Sequence, residues 1–406
     1  MPRALYFYAP ADQADPVGGK GEVMSDSLKS IFFTVLRSAV CGYKLTDAER
    51  EAVRGADAER LAKLAAVHDL SHLLAYGLDK NGLADAESKN EIFKSAFRCE
   101  QLNYELDSLC AALEKAMIPF IPLKGSVIRK YYPEPWMRNS CDIDVLVHES
   151  DLQRAIGLLT DDLGYKEGGR WTHDVSLYSP SGVHVELHFD LVEDRYANEA
   201  HSVLSDIWSY TVPEDGAVYR LAMSDAAFYF YHIAHMAKHF ENGGCGIRPF
   251  LDLWILENRI EHDRAERDAL LEKGGLLKFT ENCRKLSAYW FDCAEASGLT
   301  LQMAEYILRG GVYGSMENGY AAKQSKRGGR FGYVISRLFP PLSAMHPRFP
   351  VLKKCPLLLP VFWVYRVVIM ISSGRMNRTA KELKLASSVS DDTASTAKEF
   401  IESIGL

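Results

Sequence analysis

No Cys-x-x-Cys pair occurs among the eight cysteines of this 406-residue chain: Cys41, Cys99, Cys110, Cys141, Cys245, Cys283, Cys293 and Cys355. Their scatter argues against a zinc ribbon and a disulfide framework, and it fits a reducing, cytoplasmic setting. A basic segment followed by an apolar run is missing near Met1, so no signal peptide is expected. Nor is there an uninterrupted apolar stretch of the ~20 residues a membrane span needs. The longest run, 357–371, is broken by Pro360 and Arg366, which predicts a buried helix and leaves peripheral contact with an inner membrane surface open. No internal repeat of fixed period is visible.

Acidic residues are absent from 318–381, a segment with twelve Lys and Arg. The rest of the chain then carries 35 basic against 54 acidic residues, and the overall net charge is −7. A basic segment on an acidic body points to a polyanionic partner or an anionic membrane surface. A solvated basic face packed on that body is the competing reading.

What is present is an ordinary apolar content of 47%, enough for globular cores, and a length that suits two or three modules. Residues 1–24 show little periodicity and read as a disordered leader, with Met24 a candidate start. Apolar residues at helical spacing fill 25–115. Asp26 is placed to cap the first helix, and Thr46 with Glu49 forms a capping-box pattern. The character changes over 116–222. "IPFIPL" reads as a short strand, "KGS" as a turn, "VIRKYY" as a helix and "DIDVLV" as a strand. Ser150 then caps a helix that stops at Gly164. "DVSLY" and "VHVELHF" read as a hairpin joined by "SPSG". Helices return over 223–310, followed by the basic helical region 311–390 and a tail, 391–406. The fold class expected is α+β: a small mixed-sheet core flanked by helical regions on both sides.

The period of "DIDVLV" is two, so Asp142 and Asp144 share one face while Ile143, Val145 and Val147 share the other. Two like charges about 7 Å apart on a strand of ~3.3 Å rise per residue need compensation or water. "VHVELHFD" repeats the pattern, with His184, Glu186 and His188 on one face. If the two strands are neighbours, Asp142, Asp144 and Glu186 converge. Three close carboxylates do not all remain ionised unaided, and a hard divalent cation, Mg²⁺ or Mn²⁺, resolves the repulsion. Gly125 permits a sharp turn, and Ser126 opens a helix whose N-terminus suits an anion such as a triphosphate.

A Gly-Ser turn after a strand, then a helix, then a strand bearing Asp-x-Asp resembles the DNA polymerase beta-like nucleotidyltransferase superfamily. The stretch from "IPFIPLKGS" through "DIDVLV" to "DLGY", then "VHVELHF" and "FYHIAHMAKHFENGGCGIRPFLDLWIL", is similar to the bacterial family of uncharacterised nucleotidyltransferases. The resemblance covers most of 30–370. It implies that Asp142, Asp144 and Glu186 are catalytic metal ligands, although the superfamily more often has aspartate at the third position. It also implies that Lys124, Gly125 and Ser126 bind nucleotide phosphates. Arg138 either joins them or pairs with Asp142. His232, His235 and His239 lie on one face of a helix capped by Ser224, where they line a cleft with His184 and His188, hold zinc, or pack in the core. Arg248 and Asp252 stand at i, i+4, the spacing of an intrahelical ion pair; Arg248 is otherwise a phosphate contact. The implied activity is transfer of a nucleoside monophosphate from a nucleoside triphosphate to an acceptor hydroxyl. The alternative is an inactive module of this fold that binds a polyanion or membrane through 318–381.

Overall fold

The computed structural model describes residues 25–191, 199–261, 263–311, 335, 339–345, 349, 351–372 and 391–406. The expected leader and much of the basic segment fall outside these residues. The chain divides into two compact units, one of 1–236 with 246–312 and one of 237–245 with 313–406.

In the first unit, five helices precede the sheet: α1 (Asp26–Val40), α2 (Asp47–Arg54), α3 (Ala58–Val67), α4 (Ser71–Lys80) and α5 (Ala86–Lys115). Their starts follow local chemistry. The Thr46 hydroxyl accepts from the Glu49 amide while the Glu49 carboxylate accepts from the Thr46 amide, closing the capping box that begins α2. The cap of α1 is Ser25, whose Oγ accepts from the Leu28 amide at 3.3 Å. Asp26, the expected cap, is one residue too late and instead sits inside the first turn, where its charge suits the helix dipole.

The strands are β1 (Phe120–Pro122), β2 (Asp142–Val147), β3 (Lys166–Arg170), β4 (Asp174–Tyr178) and β5 (His184–His188), in the order β1-β2-β5-β4-β3. β2 and β5 run parallel, and the other pairings are antiparallel. One-turn α6 (Gly125–Ile128) links β1 toward β2, and α7 (Leu152–Gly157) follows β2. Ser150 does not cap α7: it lies in a 3-10 turn, Glu149–Asp151, ahead of it, and α7 begins without a side-chain cap. α7 runs on into a π turn, Leu158–Asp162, and the chain reverses at Gly164, whose φ is +70°. The expected hairpin is formed, with the Ser179 amide donating to the Val183 carbonyl at 2.9 Å. Sequence periodicity gives no sign of β3, "KEGGR", because this outer strand is mostly exposed and has no apolar stripe.

The sheet is chemically one-sided. Ile143, Val145, Val147, Val175, Leu177, Val185 and Leu187 are fully buried against Leu102, Leu106, Leu109 and Leu113 of α5 and against Leu152, Ala155, Ile156 and Leu159. The even-numbered residues of β2, β4 and β5 face the other way, and further helices follow in the chain. These are α8 (His201–Leu204), α9 (Asp225–Glu241), α10 (Arg248–Arg259), α11 (Arg264–Lys273), α12 (Leu277–Phe291) and α13 (Gly298–Leu308), with a small hairpin of β6 (Thr211–Pro213) and β7 (Leu221–Met223). Ser224 caps α9 as expected, its Oγ accepting from the Ala227 amide at 3.3 Å.

The second unit contains α14 (Leu342–Met345), α15 (Val351–Lys354), α16 (Leu359–Ser372) and α17 (Asp391–Ile404). No described helix is long and apolar enough to cross a membrane.

Because α5 supplies the cover of the sheet, Leu109→Ala should lower unfolding free energy by about 2–5 kcal/mol in urea titrations, the range for emptying a buried leucine site. Phe97→Ala on the exposed side of the same helix should change it by less than about 0.5 kcal/mol. Equal costs would mean that α5 does not pack in the way described.

Candidate active site

The register between β2 and β5 sets the site. Asp142 lies opposite His184, Asp144 opposite Glu186 and Leu146 opposite His188. Residues paired across neighbouring strands share a face, so two aspartates, one glutamate and two histidines meet on the side of the sheet opposite α5. Ligand atoms of Asp142, His184 and Glu186 lie within 4.8 Å of one another, as do those of Asp144, Glu186 and His188. Glu186 belongs to both groups and ties them into one cluster.

Electrostatics follow from this crowding. Burial pushes Asp142 up, the Asp144 and Glu186 charges push it further, and Lys124 only partly offsets them, leaving it at about 6. Asp144 goes the other way. Its burial also disfavours charge, but Lys124 and His188 outweigh that and hold it well below the usual carboxylate range. The Lys124 ammonium donates to Asp144 Oδ1 at 2.7 Å, and His188 Nε2 lies 2.9 Å from the same oxygen and 3.5 Å from Glu186 Oε2. Burial opposes charge on His188 as well, yet hydrogen bonds to Asp144 and Glu186 raise its pKa.

The turn before β2 brings Lys124 there. The Leu123 amide donates to the Asp144 carbonyl at 2.9 Å, stitching the end of β1 to β2. Lys124 then adopts φ 47° and ψ −121°, a conformation that costs a non-glycine residue on the order of 1–3 kcal/mol and recurs at functional sites. At Gly125 a Cβ would come within 2.1 Å of Ser140 Oγ, so only glycine lets the turn lie against 138–140. The amides of Ser126, Val127 and Ile128 already donate to carbonyls of Leu123 and Lys124. What Ser126 offers a ligand is therefore its hydroxyl, buried and without a hydrogen-bond partner among the described residues.

Arg138 does not pair with Asp142. Its Nε donates to both oxygens of Asp252, at 2.7 and 2.9 Å, and the Tyr132 hydroxyl donates to the same carboxylate at 2.7 Å. The intrahelical Arg248–Asp252 pair is also not formed. Arg248 Nη1 reaches Asp69 Oδ2 at 2.6 Å and the Asn139 carbonyl at 3.2 Å. The reason is burial: Asp252 is 2% exposed, so its charge needs the buried guanidinium of Arg138, while Arg248 stays near solvent.

The zinc site expected of the α9 histidines does not appear among the metal-ligating groups of the described residues. His232 Nε2 bonds the Pro249 carbonyl at 2.9 Å, and burial lowers its pKa. The His235 ring lies 6.4 Å from that of Tyr231, and His239 belongs to the second unit. None of the three joins a metal-ligating cluster among the described residues. Three residues absent from the expected set stand beside the site. Tyr231 is buried, which pushes its hydroxyl up while Lys124 pulls it down. Asp174 lies opposite His188 on β4, and His173 contacts Asp174 with Nε2–Oδ2 2.9 Å. The alternation Asp174, Ser176, Tyr178 was a signal for the β4 face; nothing in the helical pattern of α9 singles out Tyr231.

Fold and site together define an α+β protein whose polar sheet face holds a carboxylate-imidazole cluster suited to a cation. A family model described as "Uncharacterised nucleotidyltransferase" matches residues 54–292, a span that contains the whole cluster, and the chain belongs to that family. No curated protein and no solved structure matches it.

Removing one partner of a buried ion pair leaves the other uncompensated, at about 3–5 kcal/mol. Asp252→Ala should therefore destabilise by that amount in urea titrations, while Arg248→Ala, whose partner Asp69 is partly exposed, should cost about 1 kcal/mol or less. The reverse order would contradict these pairings.

Proposed function

We propose that this chain is a cation-dependent nucleotidyltransferase with the chemistry of the polymerase beta-like superfamily. It takes a nucleoside monophosphate from a nucleoside triphosphate and places it on an acceptor hydroxyl. The observation that carries this reading is the position of Glu186, within 4.8 Å of ligand atoms of both Asp142 and Asp144 in overlapping groups. Mg²⁺ or Mn²⁺ fits the donor set, since clustered carboxylate oxygens are what such ions select. The upward push on Asp142 is the repulsion such an ion would relieve. When bound, the ion supplies charge neutralisation at the phosphates and acidifies an acceptor hydroxyl.

The residues divide the remaining work. Asp142, Asp144 and Glu186 hold the cation on the sheet face. Lys124 neutralises Asp144 and would offer its charge to a phosphate of a bound nucleotide. Ser126 Oγ donates to a phosphate oxygen, and Gly125 keeps that turn close. The acceptor oxygen forms a bond to the α-phosphorus, the bond from that phosphorus to the bridging oxygen breaks, and pyrophosphate leaves with the electron pair. The acceptor's proton passes to a carboxylate or to solvent.

A thermal-shift panel of ATP, GTP, CTP and UTP with Mg²⁺ tests binding, since a ligand that binds only the folded state stabilises it by mass action, with the logarithm of its concentration over Kd. At least one nucleotide should raise the melting temperature, and Asp142→Asn/Asp144→Asn should abolish the shift. With α-labelled triphosphates, Mn²⁺ and lysate acceptors, the same variant should lose more than about 100-fold of labelled product. No shift and no product with any of the four nucleotides sinks the reading.

For the basic region, the observation that favours one partner is the surface of α16. Val361, Val364, Tyr365 and Val368 are each at least half exposed, and Leu357 just before them is 90% exposed. The four helical positions fall within about 100° of arc. We infer that this face rests on an anionic membrane surface, because an apolar stripe on a helix within a basic stretch of sequence suits a lipid interface, whereas a hydrophilic polyanion would leave it exposed. The full chain should sediment with phosphatidylcholine vesicles containing phosphatidylglycerol, weakly with phosphatidylcholine alone. Val361→Asp/Val364→Asp should release it; vesicle binding unchanged in that variant would refute the inference.

A further inference from the structure

On the far side of His188 from Asp144, the sheet carries a second group of ligand atoms. One nitrogen of His173, one nitrogen of His188 and one oxygen of Asp174 lie within 4.8 Å of one another. The two imidazole rings stand 5.8 Å apart, centroid to centroid. Asp174 and His188 face each other in the β4–β5 register, so backbone pairing fixes their approach.

Two atoms of these side chains are buried with no hydrogen-bond partner among the described residues: Asp174 Oδ1 and His188 Nδ1. Both residues are 5% exposed, and a buried polar atom left unmatched costs roughly 1–3 kcal/mol. His188 is oriented by the nitrogen that is engaged. Its Nε2 faces Asp144 at 2.9 Å, so in the neutral ring the proton sits there and the lone pair is on Nδ1. A carboxylate behind one imidazole nitrogen, with the other nitrogen unmatched, is the usual support of a metal-binding histidine. Asp174 is engaged in the same one-sided way, with Oδ2 on His173 Nε2 and Oδ1 without a hydrogen-bond partner among the described residues.

We propose that His173, Asp174 and His188 form a binding site for a borderline transition-metal ion of the Zn²⁺ class, separate from the carboxylate cluster and joined to it through His188. Two imidazoles and one carboxylate prefer such an ion to Mg²⁺. Ligand bonds of ~2.0–2.2 Å set tetrahedral donor atoms roughly 3.4 Å apart, so the three side chains draw together on binding. His173, the most exposed of the three, gives the ion its way in. An ion here fixes the His188 ring and with it one of the contacts to Asp144. The proposal stands whether or not the chain transfers nucleotides, and its test needs no activity.

The full chain, stripped with a chelator, is titrated with Co²⁺ and followed by visible absorption. One Co²⁺ should bind with the absorption of an imidazole-ligated, low-coordinate ion, be displaced by Zn²⁺, and persist in excess Mg²⁺. His173→Ala should weaken Co²⁺ binding more than about 10-fold with the fold intact by circular dichroism. Asp174→Asn should do the same, whereas Asp142→Asn should leave the Co²⁺ spectrum in place. Absence of Co²⁺ binding would mean that water serves the two unmatched atoms and would overturn the proposal. So would binding that survives His173→Ala, or binding lost on Asp142→Asn alone, which would assign the ion to the carboxylate cluster.

Discussion

The parallel pairing of β2 with β5 is the constraint on which the rest of the site depends. Backbone hydrogen bonds place Asp144 opposite Glu186 and Asp142 opposite His184. Because side chains alternate along a strand, a slip of one residue would turn the acidic set toward the leucines of α5. The apolar odd-numbered residues, sealed under α5 and the segment after β2, prevent that slip. Core packing on one face thus holds like charges together on the other, against their mutual repulsion.

That repulsion is managed by unequal partners. Asp144 has an ammonium and an imidazole on one oxygen, while Asp142 has neighbours that mostly disfavour its charge. Two aspartates two residues apart are thereby driven in opposite directions, the usual sign of groups with different tasks. The Lys124 ammonium reaches Asp144 from a left-handed backbone position, and strain of that kind persists only where surrounding structure enforces it. Here the enforcement is the Leu123–Asp144 backbone bond and the close approach of Gly125 to Ser140. The span matched by the nucleotidyltransferase family contains this cluster of groups able to hold a cation.

Legibility in the sequence varied with the range of the interaction. The capping box at Thr46 and Glu49, the hairpin at 174–188 and the two polar stripes were readable because each is decided within a few residues or by a period of two. Arg138 was readable only as a residue needing a partner. Asp142 was nearer in sequence, but Asp252, 114 residues away, is the buried carboxylate that most needs a cation. The same competition drew Asp252 away from Arg248. β3 escaped notice because an exposed outer strand has no apolar stripe to betray it.

The sequence by itself determined which faces of β2 and β5 are polar, that Gly125 and Ser126 form a turn, and that α+β architecture follows from helical periods around period-two strands. These are properties of residue type and spacing along a single segment. Tertiary structure alone decided that Glu186 stands beside Asp144, that Lys124 and His188 share one oxygen of it, and that Asp174 and His173 extend the polar face. Each of those depends on which strands become neighbours and in what register. That choice is made by burial of the shared apolar face, a quantity summed over distant segments and absent from any one of them.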